Sequence, residues 1–461
     1  MIRLFDTARQ EVRELTLRDE GHASIYVCGP TVYDVPHLGH GRFTLVWDVL
    51  RRWLHFRGLE VRFVSNITDV DDKIIQRAER EGVPESDVAT RFEDVWWTAM
   101  TQLGVLRPSV APRATQWISP MVELIEELLR REVAYALVDG IYFDVSRVPD
   151  YGLLALQPLD SLRAGARVDA RRDKRSALDF ALWKFAKPGE PRWPASFGEG
   201  RPGWHTECVV MSLGLLGEGF DLHCGGFDLT FPHHENERAQ AEALHKPFAR
   251  HWAHNGFVMS GGEKMSKSLG NFTSLSDLLD RTDARAYRLL VVRSHYRSPL
   301  EVSVETVADA ERALGRLDAL ARRFSLPRLA GESLVDPVSE WSEELATFVT
   351  ETTALLDDDL NTPAAVAKLF EGVSRANTLA DQGDDGAREW ALMVNTLFGA
   401  LGLSLHGDAD SLDEDVVELV SQRDAARARR DWVEADRLRK ELEGRGWIVE
   451  DSSQGTRVRR G

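Results

Sequence analysis

Cysteine is almost absent: Cys28, Cys208 and Cys224 are the only three in 461 residues. An odd number without regular spacing excludes a disulfide framework. Such rare thiols in a reducing compartment are either small buried apolar groups or metal ligands. No apolar run is long enough to span a bilayer, so no membrane partner is expected. The opening "MIRLFDTARQEVREL" alternates apolar and charged residues and lacks the apolar stretch of an export signal, which makes the expected location cytoplasmic. Positive charge is also in deficit. With 57 Lys+Arg against 74 Asp+Glu, the net charge of −17 repels phosphate globally and argues against a large non-specific nucleic-acid binder. The basic residues are nevertheless concentrated, in "DARRDKR" (Asp169–Arg175) and in the tail "RDAARARRDWVEADRLRKELEGRG", so a polyanion could be gripped at selected faces.

What is present reads as several domains, since the chain is too long for one core. "SIYV" predicts a strand over Ser24–Val27, stopped by Gly29-Pro30. "FTLVWDVLRRWLHFRG" predicts a helix capped by Gly58, and "EVRFVSNIT" a second strand. Strand, helix, strand is a βαβ unit, which implies a parallel sheet with a site at the strands' carboxyl ends. Helices are predicted in "PESDVATRFEDVWWTAMTQLGV" and "ISPMVELIEELLRREVAYAL", and a short strand over Tyr142–Val145. From Tyr151 to Gly203 the chain is polar and rich in Gly, Pro and Arg, and reads as an irregular insertion. "FDLHCGG" restores sheet patterning. Beyond "FVMSGGEKMSKSLGN" helices predominate: Leu275–Leu290, Val304–Ser325, Glu340–Leu356, Thr362–Leu379 and Arg388–Leu401. "LSLHGDADSLDED" reads as a linker, and Glu414–Gly461 as two helices with short strands.

Three groups of residues carry chemistry. In "FPHHENERAQ", Pro232 can begin a helix, which sets His233 and Glu237 four apart on one face, able to share an ion. The metalloprotease pattern His-Glu-x-x-His fails here, because Arg238 stands where the second histidine belongs. Cys28 and Cys208 would complete a donor set that favours zinc over magnesium or calcium. Cys224, in "HCGG", is a rival ligand on the same chemistry. The second group is "HLGH". His37 and His40 lie at a strand-to-helix turn, where Gly39 permits close approach and helix N–H groups face a phosphate. The third is "SGGEKMSKSLGN", in which Lys264 and Lys267 suit a pyrophosphate leaving group.

"HLGH" followed by "KMSKS" resembles the signature pair of class I aminoacyl-tRNA synthetases. "YVCGPTVYDVPHLGHGR", "NITDVDDKII", "GRPGWHTEC", "FPHHENE" and "KMSKSLGN", in this order, resemble the cysteinyl-tRNA synthetase family over almost the whole chain. The resemblance implies one zinc ion per subunit on Cys28, Cys208, His233 and Glu237, with the substrate thiol bound to it. It implies ATP with Mg2+ at His37, Gly39, His40 and Lys267, and His37, His40, Lys264 and Lys267 as the catalytic residues stabilising the phosphates. L-cysteine would be activated as its adenylate and passed to tRNA(Cys). Thr68, Trp204, His223 and Asp228 are expected in the amino-acid pocket, and Trp432, among arginines, as a stacking platform for an anticodon base. Two departures stand out: Cys224 occupies a position where the family has glycine, and His-Leu-Gly-His replaces the commoner His-Ile-Gly-His.

The expected fold is an α/β Rossmann-like parallel-sheet catalytic domain followed by an all-α helical bundle and a small α+β C-terminal domain. The expected divisions are 1–255 with an insertion around 112–203, a mobile-loop and stem-contact region at 256–310, a helical bundle at 311–402, and a linker with anticodon-binding domain at 403–461. No extra interface is evident, which points to a monomer. Two rival readings remain. A cysteine ligase of mycothiol synthesis would share the adenylating core but lack the tail. A non-catalytic zinc-dependent RNA-binding protein would give no reason for "HLGH" and "KMSKS" together.

Overall fold

The computed structural model describes residues 1–155, 173–259, 274–329, 341–406, 414–452 and 455–460. Two compact units divide the chain. One comprises Met1–Arg312, Leu334–Phe370 and Ala400–Leu403; the other comprises Ala313–Ser333, Glu371–Gly399 and Ser404–Gly461.

The first unit opens with a hairpin, β1 (Arg3–Asp6) and β2 (Glu11–Glu14). The βαβ unit follows as β3 (His22–Val27), α1 (Leu38–Phe56) and β4 (Glu60–Ser65), with β3 and β4 parallel. α1 begins five residues before "FTLV", because His37 supplies its N-cap. It ends where expected: Gly58 takes φ +85°, a conformation that costs glycine nothing. Helices α2 (Asp72–Glu81), α3 (Glu85–Gln102) and α4 (Ile118–Arg130) come next. The expected continuation of α4 through "EVAYAL" is corrected. Glu132 turns to φ +57°, and Ala134–Leu137 leaves as strand β5.

The "irregular insertion" is also corrected. β5, β6 (Gly140–Phe143), β7 (Phe180–Phe185) and β8 (Gly200–Pro202) form an antiparallel sheet in that order. Leu182 and Trp183 of β7 are fully buried in the core it shares with α4. The polar composition of the surrounding loops hides a strand that is apolar where it packs. Asp72, opening α2, accepts from Lys184 and Arg201, tying this sheet to the parallel one.

α5 (Trp204–Leu216), β9 (Leu222–Gly226), α6 (Glu235–Ala243) and β10 (His251–Asn255) complete the parallel sheet, whose order is β10-β9-β3-β4. Tyr26 pairs with His223 and Val27 with Cys224, so side chains alternate: Tyr26 and His223 share one face, Val27 and Cys224 the other. β11 (Val258–Met259) pairs with β12 (Leu300–Glu301). The helix expected over Leu275–Leu290 is two, α7 (Leu275–Arg281) and α8 (Ala284–Val292), because the Asp283 carboxylate caps a new N-terminus at the Arg285 N–H (2.8 Å). Helices α9 (Val304–Phe324), α10 (Glu343–Asp357), α11 (Thr362–Asp381) and α12 (Ala387–Ala400) follow the predicted order.

In the tail, α13 (Glu414–Ala428) and α14 (Trp432–Gly444) pack on the hairpin β13 (Trp447–Ser452)–β14 (Gly455–Arg460). Their small core is Val416, Leu419, Leu438, Leu442, Trp447, Val449 and Val458. Among the described residues, no helix is long and apolar enough to cross a membrane.

Candidate metal centre and nucleotide turn

Cys28 lies two residues beyond Tyr26, so its side chain falls on the face shared with His223. The turn behind it needs glycine. The Gly29 N–H donates to Asn66 Oδ1 (2.8 Å), and a Cβ there would stand 1.6 Å from the Asn66 carbonyl oxygen. Cys208 comes from α5. His233 precedes α6 and Glu237 lies in its first turn, one helical turn apart as the spacing predicts, with His233 Nε2 2.8 Å from Glu237 Oε1. The Cys28 and Cys208 sulfurs are 3.5 Å apart, and Cys28 Sγ is 3.4 Å from Glu237 Oε1. One donor atom from each of the four residues lies within 4.8 Å of all the others, and all four residues are buried.

The four groups are strongly coupled and hold protons that a bound metal would displace. Burial opposes ionisation of Cys208, but the Cys28 thiol hydrogen bond and His233 outweigh it and bring Cys208 to about 6. Burial also holds the Cys28 thiol well above its usual range, so the two sulfurs retain one proton between them. Burial works against charge on Glu237 as well, yet His223 and His233 hold its carboxylate well below the usual range. His233 is driven the other way, to about 10, because Glu237 overcomes the cost of burial. Two thiols, an imidazole and a carboxylate at one buried point fit zinc.

Cys224 does not join them. It faces the other side of the sheet with Val27, and burial alone raises its thiol well above the ordinary range. One step along β9 decides this. His223, on the near face, brings Nε2 to 2.6 Å from Glu237 Oε2 and stacks on Trp252 at 4.7 Å. It therefore orients a ligand from beneath. Trp204 stacks on His233 at 4.0 Å and is 37% exposed, an outward-facing wall over the centre. The Thr68 hydroxyl donates to Glu207 Oε2 (2.7 Å), and Asp228 is exposed on the turn after β9, near His37.

The residues that sequence reasoning missed are polar groups buried behind the ligands. Asn66 Oδ1 lies 3.7 Å from Cys208 Sγ, and Asn66 Nδ2 donates to Thr68 Oγ1 (3.3 Å). His205 Nδ1 is 2.9 Å from His233 Nδ1. Burial holds His205 well below its usual range, so its Nδ1 accepts a hydrogen bond from the His233 Nδ1–H. Only the position of "NIT" at a strand end could have marked Asn66.

The nucleotide turn is built by His37 and His40 reciprocally. The His40 N–H donates to His37 Nδ1 (3.3 Å) and the His37 N–H to His40 Nδ1 (3.2 Å). Both Nδ1 atoms accept, so both Nε2 atoms carry hydrogen and are left as donors. The rings stack at 3.7 Å. Burial, with help from His37 and Lys73, lowers His40 to about 3, and burial lowers His37, so both rings are neutral at pH 7. A Cβ at Gly39 would touch the His37 ring at 3.0 Å. Lys264 and Lys267 lie outside the described residues. Trp432 opens α14 and is 59% exposed, which leaves its ring free of the tail's core.

Three family descriptions match the chain in order. They are tRNA synthetases class I (C) catalytic domain over residues 14–312, DALR domain over 352–406, and Cysteinyl-tRNA ligase anticodon binding domain over 409–459. The Cysteine--tRNA ligase of Laribacter hongkongensis is 43% identical over 472 residues, and that of Alkalilimnicola ehrlichii 46% identical over 473. Each alignment covers 100% of both chains. Among solved structures, methionyl-tRNA synthetase of Mycobacterium tuberculosis in complex with methionyl-adenylate has a TM-score of 0.60 at 17% identity, covering 83% of this chain and 90% of its own. A putative arginyl tRNA synthetase of Campylobacter jejuni has 0.56 at 13%, covering 84% and 94%. At these identities the likeness shows the fold alone.

Proposed function

This chain belongs to the cysteine–tRNA ligase family of class I tRNA synthetases and is a ligase; on that premise we propose that it activates L-cysteine with ATP and transfers it to tRNA(Cys). The observation that carries the substrate assignment is the meeting of Cys28, Cys208, His233 and Glu237 at one buried point. These residues would hold zinc, which when bound supplies a borderline-soft Lewis acid for a substrate thiolate and gains little from the hydroxyl of serine.

The protein's own groups do the rest. Trp204, stacked on His233, closes the outer side of the amino-acid site and excludes water. His223 holds the second oxygen of Glu237, leaving the first to face the centre. As the cysteine carboxylate attacks the α-phosphorus of ATP, the Nε2–H groups of His37 and His40 donate to phosphate oxygens, with α1's unpaired N–H groups behind them. Lys264 and Lys267 are assigned to the departing pyrophosphate on their motif, and Mg2+ accompanies ATP. Positioning and electrostatics suffice, without a covalent enzyme intermediate. The terminal adenosine of tRNA then takes the aminoacyl group. We assign the helices after α8 to tRNA support and the tail from Glu414 to the anticodon.

Cysteine-dependent exchange of pyrophosphate into ATP, followed by charging of tRNA(Cys), is the test. Exchange without charging would move the assignment to a cysteine ligase with another acceptor. No exchange at all would defeat the activation step.

A further inference from the structure

Among the described residues of the first unit five arginines are buried, and four of them meet a carboxylate. Arg52 and Arg288 share Asp48, Arg201 meets Asp72 and Glu190, and Arg238 meets Asp150, Glu235 and Glu242. Arg42 is the exception. It is 1% exposed, and among the described residues no carboxylate lies within ion-pair distance of it. Its Nη1 donates to the Phe257 carbonyl (2.6 Å). Its Nη2 donates to the carbonyls of His295 (3.3 Å), Tyr296 (3.1 Å) and Ser298. Nε has no partner among the described residues. Main-chain carbonyls satisfy the hydrogen bonds of a guanidinium but do not cancel its charge, and a buried uncompensated charge is costly.

The location makes that cost harder to explain structurally. Arg42 sits in the second turn of α1, and helical side chains lean toward the N-terminus. That end is already positive, and stable helices place acidic residues there. α1 has no acidic residue in its first turn. The same turn is fastened to the elements on both sides of residues 260–273. Leu275 N–H donates to the Pro36 carbonyl (3.1 Å), Tyr287 Oη to the Leu38 carbonyl (2.7 Å), and Arg42 to Phe257. A Cβ on Gly41 would stand 2.8 Å from Leu275 and 2.9 Å from Tyr287.

We propose that Arg42 is an electrostatic positioning residue for the phosphates of ATP. Its charge, which meets no carboxylate among the described residues, lies two residues after His40 in the same helix and is neutralised when the nucleotide binds, while its four carbonyl bonds hold that helix against the segment at Phe257. It acts through the field of a fixed cation, since it is buried and Nη1 and Nη2 both donate to main-chain carbonyls. This rests on the reading of the turn as a nucleotide site.

The test compares ATP, AMP and adenosine binding to the zinc-loaded wild type, Arg42→Gln and Arg42→Lys. Glutamine keeps amide donors without charge; lysine keeps the charge with fewer bonds. Arg42→Gln should lose about tenfold or more in ATP affinity, less for AMP and none for adenosine, with zinc content unchanged. Arg42→Lys should keep most of the ATP-over-adenosine preference. Equal losses for ATP and adenosine, or none for ATP, overturn the assignment. Should both variants fail to fold, the wild type decides: millimolar tripolyphosphate should raise its melting temperature beyond sulfate of equal ionic strength, and no such difference overturns the proposal. Absence of cysteine-dependent exchange in the wild type would instead count against the ligase reading.

Discussion

The sulfurs of Cys28 and Cys208 stand 3.5 Å apart although 180 residues separate them in the chain. That distance is well beyond a disulfide bond, and both cysteines are free. One sulfur ends strand β3 and the other lies in helix α5, so each is held by a rigid element rather than a loop. Metal release should therefore leave the fold standing, in contrast to a zinc finger.

Cys208→Ser tests this. Zinc affinity, read by competition with a chromogenic chelator, should fall by about 100-fold or more, since a ligand is worth at least what its supporting shell is. The far-ultraviolet circular dichroism should stay at the wild-type level. A variant that unfolds on losing zinc would show the centre to be structural.

Gly29 and Gly58 offer a matched comparison. Gly29→Ala drives a methyl into the Asn66 carbonyl and should cost about 3 kcal/mol, while also displacing Cys28 and weakening zinc binding. Gly58→Ala meets open space and should cost only about 1 kcal/mol for its positive φ, with zinc binding untouched. Urea titration with chelator competition reads both quantities.

Acid should attack the Asp48 cluster. Burial alone would raise this carboxyl, but Arg288 and Arg52 outweigh it and hold its pKa below the ordinary value. A carboxyl depressed on folding stabilises the protein fully above its unfolded pKa, about 4, and loses that contribution as pH falls through the folded value. Asp48→Asn strands two buried guanidinium groups and should cost about 3–5 kcal/mol at pH 7. Its stability should also depend less on pH between 5 and 2 than that of the wild type, as measured by urea midpoints across that range.

Trp432→Ala separates the two ends of the reaction. An exposed ring outside the tail's core can be removed without loss of stability. Binding of tRNA(Cys) should weaken by about 1–3 kcal/mol if a base stacks there, with cysteine-dependent exchange unchanged. Unaltered tRNA affinity would remove Trp432 from the anticodon surface.

Periodicity and turn chemistry made the order of elements readable, because both are local. β3, α1 and β4, the split of helices from Val304 onward, and the two-helix, two-strand tail all follow from residues within a few positions of each other. β7 was hidden for the converse reason: Phe180, Leu182 and Trp183 count as a strand only once β6 and β8 lie beside them. Asp283 ended one helix and began another within a stretch of unbroken helical pattern.

By itself, the sequence determined the donor types, the one-turn spacing of His233 and Glu237, and the strand-to-helix setting of His37 and His40. Which thiols meet is another matter. It depends on the order β10-β9-β3-β4 and on the pairing of Tyr26 with His223, which turns Cys28 toward Glu237 and Cys224 away. That Arg42 meets main-chain carbonyls, and no carboxylate among the described residues, is likewise visible only in the folded chain. Local patterns fix which side chains share one face of an element, whereas packing between distant segments fixes what that face meets.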